Sequence, residues 1–139
     1  MSLVQVLPAA DRPIPPEGVL ALYAEAGWWP ERTAAHVEKI LAVCPAVGAW
    51  NADGELVGFA RAVSDGVCRA YVEDVVVAES LRGQGIGRRL MDALNAELAG
   101  IDVVSLFCGP DLVDFYETTG FAFTGQRIAH RAKETGADA

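Results

Sequence analysis

Arg82-Gly83-Gln84-Gly85-Ile86-Gly87 sets glycine at every second position directly ahead of an amphipathic run. Glycines leave the first N–H groups of a following helix unobstructed, and the helix dipole adds positive potential there, so the segment is suited to an anion. Arg82, Arg88 and Arg89 bring cationic charge to this point of a chain whose net charge is −8. A pyrophosphate fits such a pocket. Two familiar phosphate loops are excluded by spacing. No Gly-Lys-Ser or Gly-Lys-Thr closes the segment as in a Walker loop, and the glycines run G-x-G-x-G where the dinucleotide fingerprint needs G-x-G-x-x-G.

A loop of this kind needs a strand before it and a helix after it. Arg69 to Val77 reads as the strand, ending in the β-branched run Val75-Val76-Val77 of a buried central strand. Ile86, Leu90, Leu94 and Leu98 recur every fourth residue, with Met91 and Ala93 beside them, and predict the helix, closed by Gly100. Upstream, Leu3 to Leu7 alternates as a strand, and Val19 to Ala26 forms a helix stopped by Gly27. A second helix is expected to start at Pro30, with Val37, Ile40 and Leu41 as its buried stripe. Strands at Val47–Ala49 and Leu56–Ala62 flank the turn Asn51-Ala52-Asp53-Gly54, and Asp65-Gly66 makes the next turn. Downstream come a strand at Ile101–Phe107, a helix at Asp111–Thr119 and a final strand at Phe121–Ile128. The expected fold is α/β, in the order β-α-α-β-β-β-α-β-α-β, with a central mixed sheet flanked by helices.

The 139 residues suit a single domain, 1–139. The acidic balance argues against a phosphate-backbone partner and favours a cationic substrate such as an amine. No apolar run reaches the ~18 residues of a membrane span, and the first residues lack the pattern of a signal peptide, so a cytoplasmic protein without membrane attachment is expected. Cys44, Cys68 and Cys108 have no paired metal-ligand spacing and read as reduced core thiols; no metal is expected.

Arg82-Gly83-Gln84-Gly85-Ile86-Gly87 resembles the [Arg/Gln]-x-x-Gly-x-[Gly/Ala] signature of the GNAT superfamily of acyl-CoA N-acyltransferases. Asp114-Phe115-Tyr116-Glu117-Thr118-Thr119-Gly120-Phe121 resembles that family's second motif, F/L-Y-x-x-x-G-F, and the gap between the two is typical. The resemblance covers residues 45 to 128 well and the N-terminal helices in outline. It implies an acetyl-CoA-dependent N-acetyltransferase acting on a primary amine of a small molecule. The strand before the loop would splay from its neighbour at a bulge, with Val75, Val76 and Val77 along the pantetheine arm and amides of Gln84 through Arg88 on the pyrophosphate.

Within this resemblance Tyr116 takes the family's position for the acid that protonates the departing thiolate. On a regular strand Tyr71, Glu73 and Val75 share one face, while Asp74 and Val76 take the other. Glu73 is the candidate base, and an ion pair with Arg61 or Arg69 is its structural alternative. Asp74 is a polar substrate contact, or a second base candidate if a bulge shifts the register. Glu73-Asp74-Val75-Val76-Val77 also resembles a stretch lining the sugar site in glucosamine-6-phosphate N-acetyltransferases. Trp28 and Trp29 stand where many relatives have a Gly-Trp pair beside the acceptor. One departure is Gly109, where many relatives carry an asparagine that contacts pantetheine. Cys108 is expected at the end of the strand beside the thiol site. The family also allows a homodimer, a protein lysine or N-terminal acetyltransferase, and a non-catalytic acyl-CoA sensor.

Overall fold

A computed structural model describes residues 3–133. Its elements run β1 (Gln5–Pro8), α1 (Pro16–Ala26), α2 (Ala34–Val43), β2 (Ala46–Trp50), β3 (Leu56–Ser64), β4 (Arg69–Val77), α3 (Ile86–Glu97), β5 (Val103–Ser105) and α4 (Val113–Glu117). Single 3-10 turns at Glu79–Leu81 and Pro110–Leu112 precede α3 and α4. The chain divides into a larger unit ending at Leu106 and a smaller one beginning at Phe107.

In the larger unit the strands lie in sequence order as one mixed sheet. The first four are antiparallel, and β5 joins β4 in parallel after the α3 crossover. Two aspartate or asparagine side chains set the hairpins. Asn51 Oδ1 accepts from the N–H groups of Asp53 and Glu55 at 3.0 and 2.9 Å, and Asp65 Oδ1 accepts from Val67, Cys68 and Arg69 at 2.8, 2.9 and 3.1 Å.

Helices cover both faces of this sheet. Phe59 packs with Val19, Leu22, Tyr23 and Val37 of α1 and α2, while its neighbour Gly58 faces α3 on the other side. A Cβ at Gly58 would lie 3.0 Å from Leu90 and 3.1 Å from Ala49, so glycine is what lets α3 seat closely. Leu90, Met91 and Leu94 are wholly buried there, each contributing roughly 1.5–3 kcal/mol. Double coverage explains why β2 and most of β3 are buried residue after residue rather than alternately.

Three expectations change. The second helix begins at Ala34 instead of Pro30, because Thr33 and His36 form a reciprocal cap: Thr33 N–H donates to His36 Nδ1 at 3.0 Å, and His36 N–H donates to Thr33 Oγ1 at 3.3 Å. Residues 121–128 form no strand. The alternation of Phe121 and Phe123 breaks at Thr124-Gly125-Gln126-Arg127, leaving no continuous apolar face for a ladder to bury. Cys68 is an exposed turn residue whose Sγ lies 3.2 Å from Asp65 Oδ2, while Cys44 and Cys108 are partly buried.

Candidate functional site

The glycine loop has the geometry an anion needs. Gly83 and Gly85 hold φ of 79° and 83°, a region glycine enters without steric cost. Gly85 caps α3 without a side-chain hydrogen bond, and the helical ladder starts with Arg89 N–H donating to Gly85 O at 3.1 Å. The amides of Ile86, Gly87 and Arg88 therefore precede the first helical bond. A Cβ built on Gly83 or Gly85 meets no atom within 4 Å, so the approach is open. Gln84 and Arg88 are exposed beside it. Arg82 reaches back to β4, its Nε donating to Val77 O at 3.2 Å, and so ties the loop to the strand it leaves.

On β4 two irregularities coincide. Arg61 pairs with Asp74 but the next residue, Ala62, pairs with Val72, so Glu73 is one residue in excess: a β-bulge. The parallel ladder to β5 ends at Tyr71–Ser105, and from the bulge onward no strand adjoins the outer edge of β4 among the described residues. Ala78 N–H donates to Val57 O at 2.8 Å. Counting back by alternation, Val76 and Asp74 turn their backbone groups toward β3, and Val75 and Val77 turn theirs toward the open edge.

The bulge also redistributes the side chains. Tyr71 pairs with Val63 on the Phe59–Arg61 face, toward α1, whereas Val75 pairs with Ala60 on the Gly58 face, toward α3. Tyr71 and Val75 thus lie on opposite faces, which corrects the regular-strand expectation. Tyr71 is hydrogen-bonded to Glu73, and burial followed by the Glu73 charge pushes its hydroxyl up to about 12. Glu73 is half-buried. The expected partner of Arg61 also changes: Asp74, 2% exposed, takes Arg61 Nε on Oδ2 at 2.6 Å, and the same oxygen accepts from Tyr23 Oη at 2.6 Å. Burial is the first cause raising the Tyr23 phenol above its ordinary value, reinforced by Asp74. Asp74 is directed into the core, and Glu73 is the carboxylate left nearer the surface.

Trp28 and Trp29 follow α1. Trp28 is partly buried against the core, its ring 6.1 Å from Tyr23. Trp29 is 41% exposed and has φ of 50°, an unusual backbone for a bulky residue and a conformation concentrated at functional sites. Its ring carries the Arg32 guanidinium at 4.1 Å. Sequence reasoning missed Arg32 and Tyr23. An arginine three residues beyond Gly-Trp-Trp looks like an ordinary solvated charge, and Tyr23 looks like part of a helix stripe.

In the smaller unit Tyr116 is buried, edge-on to Phe115 and Phe121 at 4.9 and 6.2 Å. Its carbonyl accepts from the Thr119 and Phe121 N–H groups and from Thr119 Oγ1, so the turn through Gly120 at φ of 100° closes on it. Burial raises its phenol above the ordinary value, with Cys108 adding to the effect. Burial also raises the Cys108 thiol, which keeps it protonated and a poor nucleophile. A Cβ at Gly109 would lie 2.7 Å from Asp111 Oδ1. Among the described residues no cluster of histidine, cysteine and carboxylate could hold a metal, and no helix is long and apolar enough to cross a membrane.

A model of the acetyltransferase (GNAT) family matches residues 15–121, and the chain belongs to that family. Over 82 residues it is 44% identical to serotonin N-acetyltransferase 2, chloroplastic, of Oryza sativa subsp. japonica; the match takes in 58% of this chain and 41% of that protein. The chain thus spans less than half the length of that curated relative. Among solved structures it resembles a GNAT family acetyltransferase of Streptococcus pneumoniae TIGR4, at 28% identity and TM-score 0.74, over 93% of this chain and 99% of the other. Glucosamine-6-phosphate N-acetyltransferase of Arabidopsis thaliana shares the fold at TM-score 0.71 and 17% identity, over 94% and 97% of the two chains.

Proposed function

We propose that the protein is an N-acetyltransferase that passes the acetyl group of acetyl-CoA to a primary amine of a small molecule by direct attack. The observation that carries this reading is the uncapped start of α3 behind Gly83 and Gly85, inside the segment matched by the family. Acetyl-CoA, when bound, supplies an acetyl thioester. The donors present suit it: the amides from Gln84 to Arg88 for the diphosphate, with Arg82 and Arg88 adding charge, and the backbone of Val75 and Val77 for the amide-bearing arm, with Val76 in the core behind them. These are neutral or cationic donors in a chain of net charge −8, so they concentrate an anion's attraction at one place.

The amine must arrive as, or become, the free base. Glu73 on the bulge is the group we assign to receive its proton, held in position by Tyr71. Asp74 serves behind it, fixing the strand through Arg61 and Tyr23. Tyr116 is assigned the proton delivered to the thiolate. Support comes from its place in the family motif and from burial, which keeps the phenol protonated at neutral pH. Trp28 and Trp29 would border the acceptor.

The test is a panel of primary amines with acetyl-CoA, following release of the thiol. Turnover of at least one small amine supports the reading. Tight acetyl-CoA binding with no turnover of any amine would mark a sensor, and turnover confined to peptides would mark a protein-modifying enzyme.

A further inference from the structure

Arg32, His36 and Lys39, with Trp29, Glu31 and Ile40, line a cavity of about 400 Å³ beside the start of α2. Two permanent cations and a histidine here face a single carboxylate, in a chain with 11 lysines and arginines against 19 acids. The Arg32 guanidinium lies between two aromatic rings, 4.1 Å from Trp29 and 5.9 Å from Tyr23. Its Nη1 is buried and has no hydrogen-bond acceptor among the described residues. Nη1 is sealed from solvent, so an anion entering the cavity would meet the other N–H groups of the guanidinium. His36 contributes a further donor. Its Nδ1 accepts from Thr33 N–H, which in the neutral ring leaves the proton on Nε2.

Trp29 holds φ of 50° to lay its ring on Arg32, and the same arginine stacks toward Tyr23, whose hydroxyl donates to Asp74 next to Glu73. Tyr23 thus contacts both Arg32 and Asp74, the residue after Glu73. Resting on the acetyl-transfer reading above, we infer that the amine acceptor also carries an anionic group, a carboxylate or a phosphate, and that Arg32, with Lys39 and His36, receives it in this cavity. Arg32 then sets specificity for acceptors bearing a negative charge remote from the amine. A planar guanidinium supplies paired donors suited to either anion.

The experiment uses matched probes: butylamine against 4-aminobutanoate, and ethanolamine against O-phosphoethanolamine. Binding is read first without turnover, from tryptophan fluorescence of the wild-type protein and of Arg32→Gln, both checked for an unchanged unfolding midpoint. The proposal expects saturable binding of a probe that carries the carboxylate or phosphate, weakened at least about tenfold by Arg32→Gln, with the simple amines unaffected by the substitution. The carboxylate and phosphate arms show which anion is preferred. Equal binding by wild type and variant, or no saturable binding of either probe with the carboxylate or phosphate, overturns it. Turnover with acetyl-CoA is read second. Arg32-dependent binding without turnover leaves the anion site standing and sinks the acetyl-transfer reading. Turnover of members with and without the carboxylate or phosphate at equal kcat/KM, unchanged by Arg32→Gln, does the reverse.

Discussion

Arg61 and Asp74 face each other across the β3–β4 ladder at the rung where the register shifts, and their side chains are joined at 2.6 Å with both residues buried. The rung below the shift pairs Ala62 with Val72, so the excess residue Glu73 is pinned directly beside the ion pair. A one-residue slip would carry Asp74 away from both Arg61 and Tyr23. The pair thereby fixes where the bulge falls.

Breaking that pair from one side should be costly. Arg61→Leu leaves Asp74 buried with only the Tyr23 hydroxyl, and a loss of about 3–5 kcal/mol is expected from urea unfolding. The double variant Arg61→Leu/Asp74→Leu removes both charges and should recover part of that loss. A double variant less stable than Arg61→Leu alone would contradict this.

Tyr71 gives a pH signature. Its hydroxyl is raised from 10.0 to about 12 in the folded state, first by burial and then by Glu73. The folded protein therefore holds this proton more tightly than the unfolded chain. The associated stability is complete below pH 10 and is lost as pH rises through about 12. Glu73→Gln removes the neighbouring charge and should lower the phenolate absorbance midpoint toward 10.0. An unmoved midpoint would separate the two side chains.

Gly85 separates strain from ligand loss. Ala at φ of 83° should cost about 1–2 kcal/mol while leaving the approach clear, since a Cβ there meets nothing within 4 Å. Glu at the same position adds an anion where one must bind, so acetyl-CoA affinity should fall at least about 100-fold relative to Gly85→Ala. Calorimetric titration of both folded variants decides it, and equal affinities would displace the diphosphate from this loop.

Tyr116→Phe should lower kcat about 100-fold or more while leaving acetyl-CoA affinity near the wild-type value. The alkaline limb of the kcat profile should change with it, since the phenol is the group assigned to titrate there. Wild-type kcat in the variant would remove Tyr116 from the reaction.

The helices and most strands were legible because their signals are local: Gly27 stops α1, Asn51-Ala52-Asp53-Gly54 turns the first hairpin, and the four-residue apolar spacing marks α3. The glycine loop was legible for the same reason. The bulge was expected only as a family trait. Its location at Glu73 depends on the cross-strand rungs Arg61–Asp74 and Ala62–Val72, and no local pattern distinguishes Glu73 from Asp74. From sequence Arg61 reads as an ion-pair partner of Glu73, yet its actual partner, Asp74, could be named only from the register. Pro30 misled because proline suits a first helical turn, while the Thr33–His36 cap, three residues on, determined the start. Residues 121–128 misled because two phenylalanines in alternation imitate a strand whose apolar face then stops.

Amide chemical shifts of the 15N-labelled protein during titration with coenzyme A test most directly whether the α3 entrance holds the diphosphate. Gly85, Ile86, Gly87 and Arg88 should shift together and saturate, with Gly83 and Gln84 following. Saturable binding that moves other residues and leaves those four amides in place would contradict the assignment.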